Sequence, residues 1–98
     1  MSIRHVACFR FVEGTTTEQV VAMTEALRAL PAVIPELIGY QVGPDLALNE
    51  DSWDFCVVAD CEDTAGYRAY VAHPAHQAAL ADQIRPILAE RASVQYRL

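Results

Sequence analysis

The segment IRHVACFRFV, residues 3–12, decides the fold. It reads as a strand with Ile3, His5, Ala7, Phe9 and Phe11 on one face and Arg4, Val6, Cys8, Arg10 and Val12 on the other. A strand with one face in water alternates cleanly between apolar and polar residues. Here both faces carry apolar side chains, which predicts cover on both sides. Residues 53–61 repeat the pattern: Trp53, Phe55, Val57 and Ala59 alternate with Asp54, Cys56, Val58 and Asp60.

Working outward, Gly14 breaks the first strand, and Thr15 with Glu18 has the spacing of a capping box. The helix that follows carries Val20, Met23, Leu27 and Leu30 on one stripe and stops at Pro31. Leu37 to Val42 reads as a second strand, and GPDLALNED as a polar connection rich in turn formers. After the third strand, Trp53 to Cys61, acidic residues and Thr64 open a helix that reaches His73. Pro74 restarts it toward Ala92, with Ala78, Leu80, Ala81, Ile84, Ile87 and Leu88 turned inward and a kink at Pro86. Val94, Tyr96 and Leu98 alternate in a last strand.

The order β-α-β-β-α-β predicts one α+β domain, residues 1–98, of ferredoxin-like architecture: a four-stranded antiparallel sheet with helices on one face. The other face is apolar in its middle. In a domain this small it predicts a second copy packed sheet to sheet, a homodimer forming a dimeric α+β barrel.

Composition narrows the function classes. The net charge is −6, all seven basic residues are arginines, and no basic cluster exists, so nucleic acid is not an expected partner. No apolar run approaches the roughly eighteen residues that a membrane span requires. The N-terminus lacks the long apolar run of a secretory signal, which predicts a cytoplasmic protein. Cys8, Cys56 and Cys61 lack CxxC spacing and read as small hydrophobes in a reducing compartment. There is no Gly-rich phosphate loop and no dinucleotide fingerprint, so no cofactor is expected.

The chemistry concentrates in AYVAHPAHQAAL, residues 69–80. His73 stands at an N-cap position and Pro74 at the first helical position, where a missing N–H costs nothing. His76 falls in the first turn, where unpaired backbone N–H groups disfavour imidazolium and hold the ring neutral, the form a general base needs. Tyr70 can face the same cavity, with Tyr67 one helical turn before it. His5 shares a strand face with Ala7 and Phe9, and that face can meet His76 across a pocket. Met23, Leu27, Tyr40, Val42 and Val57 complete an apolar lining; equally, these residues describe an ordinary core. His73 and His76, even with Asp82 or Glu90, lack a third soft ligand, so no metal site is expected.

Several of these segments, IRHVACFRF, TTEQVVAMTEALRALPAVIPEL, YQVGPDL and above all YVAHPAHQAAL, resemble the stress-responsive A/B barrel (Dabb) domain family nearly end to end. The resemblance implies a dimeric α+β barrel. The family includes stress proteins as well as cyclases of the olivetolic acid cyclase type, and by resemblance to these His76 corresponds to the base of an intramolecular aldol condensation. Tyr70 corresponds to a substrate-holding phenol and His5 to a pocket residue, while Met23 and Leu27 replace aromatic lining. The expected function is therefore binding of a small apolar or polyketide-like ligand, with cofactor-free cyclase or lyase chemistry on its carbonyls by His general-base catalysis. The alternatives are a non-enzymatic stress-responsive barrel and a cofactor-independent monooxygenase.

Overall fold

The computed structural model describes residues 2–98. Its strands are β1 (Ile3–Phe11), β2 (Gly39–Pro44), β3 (Phe55–Cys61) and β4 (Leu88–Arg97). The helices are α1 (Thr17–Arg28), α2 (Thr64–Ala72) and α3 (Pro74–Ala79), and α3 runs through a π turn (Leu80–Ile84) into a short 3-10 turn (Arg85–Ile87). The strands form one sheet in the order β2-β3-β1-β4, every neighbouring pair antiparallel. This is the ferredoxin-like α+β fold.

The two-sided strands are central because they alone have a neighbour on each edge. In β1, Ile3, His5, Ala7 and Phe9 are buried and Arg4, Val6, Cys8 and Arg10 are half-buried; β3 repeats this with Phe55, Val57, Ala59 and Cys61 inward. The inward set meets Met23, Leu27, Leu30 and Ile34 to form the core, with the Phe9 and Phe55 rings stacked 6.0 Å apart.

The opposite sheet face is apolar but unroofed. Val6 lies between Val58 and Val94 in register, and Cys8 between Cys56 and Ala92. Val94 is 56% and Tyr96 46% exposed. Two cross-strand ion pairs mark its ends. Arg4 makes a two-pronged contact with Asp60 at 2.8 and 2.9 Å, which holds the Asp60 carboxyl below its ordinary range, and Arg10 lies 3.8 Å from Glu90.

Several boundaries differ from the sequence expectation. The capping box uses Thr16 and Gln19, not Thr15 and Glu18. The Thr15 hydroxyl instead donates to the Val12 carbonyl at 2.7 Å, closing the turn in which Gly14 adopts φ 88°. The second strand begins at Gly39 and extends to Pro44, while the third begins at Phe55. The last helical segment does not continue to Ala92. Pro86 sits inside the terminal 3-10 turn, and the chain enters β4 at Leu88. Ala79, Ile84 and Ile87 are the buried residues there, while Ala78 and Ala81 face outward; the π turn adds a residue per turn and rotates the inward face.

Phe55 has few routes to relaxation, since it packs on both Phe9 and Phe11. Phe55→Ala is expected to lower stability by about 3–5 kcal/mol, read from denaturant midpoints at unchanged slope.

Candidate functional site

The break between α2 and α3 builds the site. Pro74 starts a new helix, and the Ala75 N–H, instead of bonding the carbonyl one turn back, donates to the His73 Nδ1 at 3.0 Å. His73 is thus the side-chain cap the spacing predicted. The Val71 carbonyl is left to side-chain donors: Gln77 Nε2 at 2.7 Å and His76 Nδ1 at 2.9 Å. A carbonyl oxygen only accepts, so Nδ1 of His76 carries the proton and Nε2 keeps the free lone pair. Burial pushes the His76 pKa down, and the Arg91 and His73 charges act in the same direction against the Val71 bond.

His76 lines a cavity of about 260 Å³ between sheet and helices. His5, Ala7 and Phe9 of β1, Leu27 of α1, Tyr40 of β2 and Val57 of β3 share that lining, as do Tyr67 and Tyr70 of α2. Eight of the ten residues named from the sequence therefore surround one space: His5, Ala7, Phe9, Leu27, Tyr40, Val57, Tyr70 and His76. Met23 and Val42 do not line it. Met23 is fully buried in the core, because its position on α1 points deeper between helix and sheet than that of Leu27. Val42 is half-buried on β2, an edge strand, packed against the core.

The second histidine has the opposite tautomer. His5 is 4% exposed, and the Gln95 amide on β4 lies 2.8 Å from its Nδ1. With the amide nitrogen as donor, His5 Nδ1 accepts and Nε2 carries the proton. Burial, with the Arg91 and His76 charges, lowers the His5 pKa to about 4. The cavity thus contains one imidazole that accepts and one that donates.

Aromatic rings tie the two together. The Tyr70 ring centroid lies 4.6 Å from that of His76 and 6.4 Å from that of His5, while Tyr67 lies 5.2 Å from His5. Tyr70 is 2% exposed, and burial pushes its pKa up to about 12, so its phenol remains a donor at neutral pH. Burial also raises Tyr40, whose buried hydroxyl lies beside that of Tyr70.

Arg85, Leu88 and Arg91 also line the cavity, and they were absent from the sequence-derived lining. The register of β4 was the missing signal: Arg91 pairs with Phe9 and Gln95 with His5, which puts both on the helix side. Among the described residues no group of three His, Cys, Asp or Glu could hold a metal ion, and no helix is long and apolar enough to cross a membrane.

A ferredoxin-like α+β domain with a histidine-bearing apolar cavity between sheet and helices belongs to the small α+β barrels. The chain is a member of the stress responsive A/B barrel domain family, whose model matches residues 3–98. It is 50% identical to a dimeric ferredoxin-like protein of unknown function from Thermobifida fusca, with TM-score 0.93 over 100% of this chain and 92% of that one. Another relative, the uncharacterized protein SCO4036 of Streptomyces coelicolor, is 31% identical over 81% of this chain and 84% of its own length. Hydroxynitrile lyase from Passiflora edulis shares the fold at 16% identity and TM-score 0.83, over 97% of this chain and 91% of the lyase.

The lowered pKa of His5 has a consequence for stability. An unfolded histidine binds a proton near pH 6.5, whereas folded His5 does so near 4. Between these values the unfolded state holds the extra proton, so stability is full above about pH 6.5 and falls as pH drops toward 4, by about 3 kcal/mol in total. His5→Gln is expected to flatten that part of the stability–pH curve, measured by urea unfolding across the interval.

Proposed function

We propose that this protein binds a small apolar, carbonyl-bearing molecule and transfers a proton from it without a cofactor, as a polyketide cyclase of the intramolecular aldol type. The observation that carries this reading is the His76 Nδ1 bond to the Val71 carbonyl at 2.9 Å, which leaves Nε2 as a base at the cavity. His76 removes a proton from the carbon between two carbonyls of a poly-β-ketone, forming an enolate and imidazolium. The enolate carbon attacks a second carbonyl of the same chain, and the alkoxide that forms takes the proton back from His76. That attack closes the ring, and loss of water from the resulting hydroxyl then makes it unsaturated.

The remaining polar groups fit the developing charge. The Tyr70 hydroxyl and the His5 Nε2–H are donors suited to an enolate oxygen, and both are shielded from bulk water, where such bonds are strongest. The apolar wall folds the flexible chain so that carbanion and carbonyl meet, which supplies much of the rate in such closures. Tyr70 lies against the base, its ring centroid 4.6 Å from that of His76, His5 shares the cavity, and both are neutral at pH 7.

The functional unit is a homodimer joined through the open sheet face. Val6, Val58, Val94 and Tyr96 form an apolar patch there, and the Thermobifida fusca relative is dimeric. Burying such a patch against its own copy is the closed solution for an otherwise wet sheet.

Two measurements test these statements. His76→Ala is expected to slow ring closure of a synthetic linear tetraketide by about a hundred- to ten-thousandfold, and the wild-type rate to fall in acid as the imidazole protonates. A loss under about tenfold, with the circular dichroism spectrum intact, makes His76 no general base and leaves an inert binding barrel. Val94→Glu, on a position already 56% exposed in the single chain, is expected to halve the mass seen by light scattering without unfolding the protein.

A further inference from the structure

The cavity is charged with one sign. Arg91 stands on the helix side of β4 opposite Phe9, Arg85 opens the turn that precedes β4, and both line the cavity. No Asp or Glu lines it, although the chain has 13 acidic residues against 7 basic ones. Among the described residues, the ion pairs are Arg4 with Asp60 and Arg10 with Glu90, both on the other sheet face, so neither Arg85 nor Arg91 has a carboxylate partner. The hydrogen bond from Arg91 goes to the Ser93 hydroxyl at a long 3.5 Å. Arg91 also projects positive charge inward, since it helps to lower the pKa of His5 and His76.

Two exposed guanidiniums without counter-ions beside an apolar cavity have a specific chemistry. The guanidinium fork matches a planar carboxylate in two parallel hydrogen bonds. The apolar body of a ligand would lie against Phe9, Leu27 and Val57, deeper in the same space. We propose that Arg85 and Arg91 form a carboxylate-binding end of the cavity, so that its ligand is a small apolar acid with the acid group at the arginines and the carbonyl-bearing body toward His76. This rests on the small-molecule reading given above, but not on turnover.

The test compares binding of 4-butylbenzoate with that of its carboxamide, by calorimetry on the full chain. The acid is expected to bind about tenfold or more tightly than the amide, the contribution of a charge-assisted pair. In the double variant R85Q/R91Q this gap closes while the affinity for the amide is unchanged; R85Q and R91Q separately each remove part of it. Both positions are exposed, so the fold tolerates the changes. Equal affinity of acid and amide for the wild type, a gap that survives in the double variant, or no binding of the acid overturns the assignment. Displacement of the acid by phosphopantetheine would assign the pair to a carrier phosphate and likewise overturn it. His76→Ala separates the two readings: ring closure within about tenfold of wild type together with an intact acid–amide gap refutes the base and keeps the arginines.

Discussion

Everything at the site depends on the two-residue period of β1. Because successive side chains leave a strand on opposite faces, a single choice of register sends His5, Ala7 and Phe9 under the helices and Arg4, Val6 and Cys8 to the open side. The same register, read across to β4, brings Gln95 to His5 and Arg91 to Phe9. A slip of one residue would exchange the cavity wall for the open face in one step. β1 makes that slip costly by being paired on both edges, and the Arg4–Asp60 contact fixes the pairing with β3 from outside.

The core and the cavity are continuous, and the difference between them is side-chain size. Phe9 and Phe55 fill one end of the sheet–helix space, whereas Ala7 leaves room in the middle of β1. Burial holds the imidazoles of His5 and His76 and the Tyr70 phenol neutral at pH 7, so the only charges at this room are the exposed guanidiniums of Arg85 and Arg91 at its edge. This agreement between stability and site chemistry explains why two imidazoles and three phenols can sit under a small fold without the cost of a buried ion.

The fold was largely legible because its evidence is periodic. Two strands apolar on both faces, an amphipathic helix and the element order were sufficient for the ferredoxin-like sheet. Boundaries were less legible where two local patterns are equivalent. TTTEQ satisfies the capping-box spacing from Thr15 to Glu18 and from Thr16 to Gln19 alike, and only the turn around Gly14 separates them. LAERA, residues 88–92, has helix-forming residues throughout, yet it becomes strand because β1 offers an unpaired edge; this is tertiary context overriding propensity. At the site, HPAH and the β1 face were readable from spacing. Arg85 and Arg91 were not, since their placement follows from the π turn and the β4 register, which leave no periodic trace. Met23 and Leu27 lie on one stripe, and only the depth of packing separates core from cavity wall.

The acceptor that fixes the His76 proton is a main-chain atom, freed where Pro74 interrupts the helix. Main-chain atoms are the same whatever residue carries them. Val71 also lines the cavity, and its side chain packs against the core. Wall and lock are therefore separate properties of one position: the side chain at 71 can grow, shrink or change chemistry to admit a different ligand while the carbonyl continues to hold the same tautomer. The shape of the wall at this joint can thus change without disturbing the position of the His76 proton.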